Sequence, residues 1–257
     1  MEISPDFSAP GLVLAVPLIG YILTEWLLGK RTFERMVHDR PRDPMALVRM
    51  FRIWIAGPWA AVAAVFAIFV LSPGIAASDL GFALPDEAST TVGILAVAVL
   101  VLPLTALALR WAARAGRPVQ TASTEMHPRT ATERWWALGM AVTAGICEEV
   151  VYRGFLIAVG VGVLGLDLHV AAGAALLLFV LGHLYQGWQA LLPVFAAGYA
   201  LTYLYVTTGS LLAPIALHIA IDVVAMVIVP MVTGGTGRPD AEPADAVEAV
   251  ETVEAGS

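Results

Sequence analysis

Residues 135–166 read WWALGMAVTAGICEEVVYRGFLIAVGVGVLGL, a run whose only charges are Glu148, Glu149 and Arg153 near its middle. A single helix over this stretch would extend about 48 Å at 1.5 Å per residue, beyond the roughly 30 Å of a bilayer's hydrocarbon core. It must overhang, tilt or break, with Gly160, Gly162 and Gly165 as the break points. Left unpaired at the bilayer centre, the three charges would together cost on the order of 8–10 kcal/mol. Glu149 and Arg153 are four apart with the Glu first, so they share a helix face and can pair. Glu148 is left without a cation on its own helix, and a cost of this size calls for a compensating role.

Six more apolar runs flank this one, at 11–28, 53–71, 91–109, 170–184, 188–206 and 211–232, each long enough or nearly so to span. The fold class is therefore all-α, a polytopic transmembrane helix bundle of about seven to eight helices. Composition agrees: 59% of the 257 residues are hydrophobic and 14% charged, and the mean hydropathy is +0.80, which excludes an ordinary soluble domain. The expected organisation is one transmembrane domain over 1–232, its motif-bearing core at about 132–232, and an acidic disordered tail over 233–257. The first run reads as a retained span and not a signal peptide. The single cysteine, Cys147, cannot form an intrachain disulfide.

Basic residues concentrate in two loops, from Lys30 to Arg52 and from Arg110 to Arg134, whereas 72–90 carries Asp79, Asp86 and Glu87 and no base. The positive-inside rule places both basic loops in the cytoplasm. With seven spans this puts the N-terminus outside and the C-terminus inside, in a cell (plasma) membrane. The partners expected are the lipid bilayer and a membrane-anchored substrate, with no nucleic acid.

Two further ionisable groups stand where lipid should exclude them, in Phe179-Val-Leu-Gly-His183 and in His218-Ile-Ala-Ile-Asp222. His218 and Asp222 also share a face. Helices carrying such groups pack with those faces inward, onto a common cavity. A buried Glu can act as general base, and a His can donate to a developing oxyanion or share the proton. Those parts suffice to hydrolyse an amide with an activated water.

At this point the sequence resembles the CPBP family of CAAX proteases and bacteriocin-processing enzymes, also called Abi. Glu148-Glu149-Val-Val-Tyr-Arg153 is similar to its E-E-x-x-x-R, Phe179 to His183 to its F-x-x-x-H, and His218 to Asp222 to its H-x-x-x-N/D. The resemblance covers about 135–232, the first three spans matching only in hydrophobicity. It implies that Glu148 with His183 activates water, that His218 and residue 222 help bind the oxyanion, and that Glu149 and Arg153 support them. Asp222 stands where the eukaryotic prenyl-protein branch has Asn. An ionised Asp cannot donate to an oxyanion, so Asp222 is expected to orient His218 or to be protonated. The family is assigned both as metalloprotease and as glutamate protease. Glu148, His183 and His218 are the ligand types of a two-His, one-carboxylate zinc site, though no H-E-x-x-H helix is present. The favoured reading requires no cofactor, and zinc is the alternative.

Plainer roles compete with these. Glu149 and Arg153 can serve only to lock helices together, and His183 alone would read as an interfacial histidine. Cys147 points about 100° away from Glu148 and is expected to be apolar filling, not a nucleophile. Glu25, near the inner end of the first span, is expected to snorkel to the headgroups. Buried Glu, Arg and His also mark transporters, and a silent binding or immunity protein would use the same cluster. One discrepancy stands out: counted from Trp135, Glu148 lies about 20 Å deep, whereas His183 sits at the inner end of its helix. Either the fourth helix starts lower or the fifth continues past Tyr185.

Overall fold

The computed structural model describes residues 1–84 and 124–232, with isolated positions between 92 and 111. The third apolar run and the acidic tail, with the expectations attached to them, lie outside the described residues. Within those residues the chain is all-helical, with one isolated β-bridge between Asp6 and Gly74.

Six helices organise it. α1 (Ala9–Asp39) starts at Ser8, whose hydroxyl accepts from Gly11 N, and α2 is Ala46–Leu71. α3 (131–162) opens on a capping box, Thr130 accepting from Glu133 N while Glu133 accepts from Thr130 N. α4 (Leu168–Gly182) is capped by Asp167, and α5 (Trp188–Thr208) ends at Gly209. α6 (Leu212–Val232) is the last. Pro17, Pro58 and Pro193 lie inside helices, as lipid-embedded helices allow.

Five of these helices, all but α3, are long and apolar enough to cross a membrane. Their outward faces expose large apolar side chains such as Val13, Val70, Leu192 and Tyr203, which water would penalise and lipid does not. The chain is an integral membrane protein. α3 instead runs through the interior: residues 149–160 are all buried, enclosed by α2, α4 and α6. This placement explains how three charges persist in an apolar run, since none has to face hydrocarbon.

α3 does not break at Gly160 and ends only at Gly162. It changes form instead, winding as a π-helix over Glu149–Leu156, and such wide turns inside α-helices often occur at functional sites.

The depth discrepancy resolves in favour of a lower start for α3. Tyr185, just past the end of α4, packs on Phe33 of α1 and Trp54 of α2. Farther along α1, Met36 joins Leu47, Phe51, Ala137 and Met140 in a second apolar core. Arg40 then pairs with Glu133 at 3.3 Å, both buried. The first turns of α3 thus lie beyond the level of Tyr185, inside a layer built by the basic ends of α1 and α2. The 3-10 turn Leu184–Gln186 closes α4 directly, so no extended α4 is needed.

Candidate active site

One glycine brings the chemistry together. A Cβ on Gly145 would lie 2.8 Å from the backbone N and 3.1 Å from the Cα of Ile219. α3 and α6 therefore approach backbone to backbone, one residue from His218 and a turn before Glu149.

At that crossing His218 Nδ1 lies 2.7 Å from Glu149 Oε1, and Arg153 Nη1 donates to the same oxygen at 2.9 Å. Arg153 also donates to Gly198 O at 3.1 Å and to Thr202 Oγ1 at 3.4 Å, and its guanidinium lies 4.4 Å from the Phe179 ring centre. Glu149 and Arg153 are fully buried. The predicted pair forms, and it ties α3 to α4, α5 and α6 together. Asp222 was expected to orient His218 or to be protonated; it faces Nε2 of that ring, while Nδ1 is held by Glu149. A carboxylate acceptor places the proton on Nδ1. Nε2 then faces Asp222 Oδ2 at 3.7 Å and Glu148 Oε2 at 4.0 Å.

Glu148 sits apart from its neighbour. Its side chain is 20% exposed, against 0% for Glu149, and its Oε2 is buried with no hydrogen-bond partner. A successive helical residue points about 100° away, so Glu149 turns into the bundle while Glu148 reaches the space beside His218. Asp222 shares that space, 23% exposed. Glu149 Oε2 also lacks a partner but is sealed from any approach.

His183 occupies the position after the last residue of α4, where helix carbonyls lose their intrahelical donors. Its ring folds back and Nδ1 takes the carbonyl of Phe179 at 2.8 Å. As for His218, this fixes the proton on Nδ1 and leaves Nε2 free. Phe179 stands between the imidazoles, its ring centre 4.6 Å from His183 and 6.1 Å from His218. Among the described residues, His183 and Glu148 share no hydrogen bond or ion pair. His183 stacks on Tyr185, and Tyr185 lines a cavity of about 340 Å³ between Trp26, Lys30 and Phe33 of α1 and the turn at Leu184 and Gly187. No group of three or more His, Cys, Asp or Glu side chains among the described residues is arranged to hold a metal ion. Cys147 is fully buried in the apolar core.

Two contacts went unread in the sequence. Glu25 does not snorkel: the Tyr152 hydroxyl donates to its carboxylate. Its one signal was a carboxylate inside an apolar span; its partner lies 127 positions away. Glu133 was legible as the end of a T-x-x-E capping box, but its buried partner Arg40 lies 93 positions away.

No curated protein and no solved structure matches the chain. Residues 130–224, less than half of the chain, match the family described as Type II CAAX prenyl endopeptidase Rce1-like. That segment runs from the cap of α3 to just past Asp222 and holds all three motifs, so this part of the chain is similar to that family.

Proposed function

We propose that the chain is an intramembrane endopeptidase that hydrolyses a peptide bond of a membrane-anchored substrate with a water activated by Glu148. The observation that carries this reading is the division of labour between adjacent carboxylates: Glu149 is sealed in the bundle and locked by Arg153 and His218, while the Glu148 side chain is one-fifth exposed and engaged by no hydrogen bond among the described residues. A carboxylate so placed can take a water's proton, and a base positioned this way is worth about 10²–10⁴ in rate.

Glu148 accepts the proton as the water oxygen attacks the carbonyl carbon, and returns it to the amine nitrogen as the C–N bond breaks. His183 Nε2, left as the acceptor nitrogen because Nδ1–H donates to Phe179 O, orients the same water. When His218 is protonated, its Nε2–H donates to the oxyanion; Glu149 at Nδ1 stabilises that cationic form. Asp222 faces Nε2 and holds the imidazolium between substrate encounters. Glu149 and Arg153 frame the site without touching substrate. The peptide approaches from the cavity beside Tyr185, on the basic and hence cytoplasmic side.

The reading is tested by reconstituting the purified protein with membrane-anchored reporter peptides in water enriched in oxygen-18. The proposal expects two fragments, with the label in the new carboxyl group. Intact peptides across a broad reporter set, or cleavage equally fast with Glu148→Gln, would sink it.

A further inference from the structure

The geometry points to Glu25, on a helix outside the family-matched segment, as a positioning residue that holds His183 in register with Glu148 through Tyr152. This rests on the proteolytic reading of the cluster and adds a residue to it.

Glu25 belongs to α1, and residues 130–224 alone carry the family match. Its carboxylate accepts from the Tyr152 hydroxyl, its one hydrogen bond among the described residues. A carboxylate within a membrane helix marks a functional position by default. Tyr152 is 3% exposed, so its hydroxyl needs a partner, and Glu25 is the partner it has. A phenylalanine in its place would fill the same core without that need. The hydroxyl and carboxylate are therefore retained as a pair against the preference of their surroundings.

The contacts that lead away from this pair end at the reacting groups. The Tyr152 ring meets Phe179 edge to face at 5.4 Å. Phe179 supplies the carbonyl that fixes the His183 tautomer, and its ring lies against both imidazoles. A second path is shorter still. A Cβ on Gly182, the residue before His183, would lie 3.2 Å from Glu25 Oε1 and 3.2 Å from Tyr152 Oη. The bonded pair thus rests close to the backbone that carries His183, and a side chain at Gly182 would press on it by a few tenths of an ångström. Tightening or releasing the Glu25–Tyr152 bond shifts the end of α4 relative to Glu148 on α3. Among the described residues neither side chain shares a hydrogen bond or ion pair with Glu149, Arg153 or His218, so the bond adjusts the placement of His183 without breaking the buried ion pair.

Misplacing a reacting group by about 1 Å can cost about 10²-fold in rate, so the effect belongs in kcat. The experiment compares wild type, Glu25→Leu, Tyr152→Phe, the double variant, Glu25→Gln and Glu148→Gln, each purified in detergent, for kcat, KM and melting temperature on one cleaved reporter. Glu25→Leu and Tyr152→Phe are each expected to lower kcat by about 10-fold or more with KM within about twofold, and the double variant to be no slower than the slower single. Glu25→Gln, whose side-chain carbonyl can still accept from Tyr152, should recover to within about threefold of wild type. Because Tyr152→Phe conserves volume, it keeps the test alive should Glu25→Leu fold poorly. Wild-type kcat in Tyr152→Phe, or losses that multiply in the double variant, would overturn the positioning role while wild type still outpaces Glu148→Gln. Wild type no faster than Glu148→Gln would overturn the proteolytic reading itself, and the inference with it.

Discussion

His218 Nδ1 and Glu149 Oε1, from helices 69 residues apart in sequence, lie 2.7 Å apart, and Arg153 shares the same oxygen. One carboxylate thereby satisfies two cationic or polar groups that would otherwise be stranded inside the bundle. Glu149→Gln should therefore be a stability defect first. Breaking a buried pair by neutralising one member typically costs about 3–5 kcal/mol, and here two partners lose it. Urea or thermal unfolding in mild detergent is expected to show a loss of that order, with poor expression.

Gly145→Ala tests the backbone crossing. The new methyl would meet the main chain of Ile219, which cannot swing aside as a side-chain tip does. Overpacking of this kind costs about 1–3 kcal/mol, and it displaces His218 from Glu149. A lower melting temperature is expected together with a fall in cleavage per folded molecule. Unchanged melting and activity would show that α3 and α6 pack more loosely.

At the basic end, Arg40 and Glu133 make the opposite case. Burial pulls the Arg40 guanidinium down from its ordinary value and Glu133 opposes that, so the pair holds a charge that neither partner would tolerate alone. Arg40→Ala should destabilise by about 3–5 kcal/mol, while cleavage by the remaining folded protein stays near wild type. This separates the layer that supports α3 from the site itself.

At position 222, Asp222→Asn should keep substantial cleavage and Asp222→Leu should not. Asp222 lies 3.7 Å from His218 Nε2, beyond a hydrogen bond, so its effect is through charge and polarity. Asn preserves the polar contact and Leu removes it. Equal rates for the two variants would show that the position has no chemical part.

Much of this was readable because it depends on spacing along one helix. Glu149 and Arg153 pair at i, i+4, and the apolar runs follow from hydropathy. What was hidden is what depends on neighbours in space. His218 hydrogen-bonds Glu149 on another helix besides facing the in-helix Asp222, since a helix crossing decides it and Gly145 permits that crossing. Nothing in one chain marks Glu25 as the acceptor for Tyr152, 127 positions away. The π-helical turn at Glu149–Leu156 has no local breaker to announce it, because α-helical and π-helical windings of an apolar stretch differ by little locally and are chosen by packing. The depth of Glu148 stayed open in the sequence for a related reason: only packing shows that α3 begins at Ala131 within a layer held by Arg40 and Met36.

The central claim is that Glu148, and not its neighbours, takes the proton from water. The most direct measurement is the cleavage rate of purified Glu148→Gln beside wild type and Cys147→Ala on one membrane-anchored reporter, with melting recorded for each. Removing a buried carboxylate whose Oε2 has no hydrogen-bond partner relieves a desolvation cost, so Glu148→Gln should melt no lower than wild type. Its rate should fall by about 10²–10⁴, with Cys147→Ala still active. A folded Glu148→Gln protein that cleaves at the wild-type rate, or an inactive Cys147→Ala, would contradict the account.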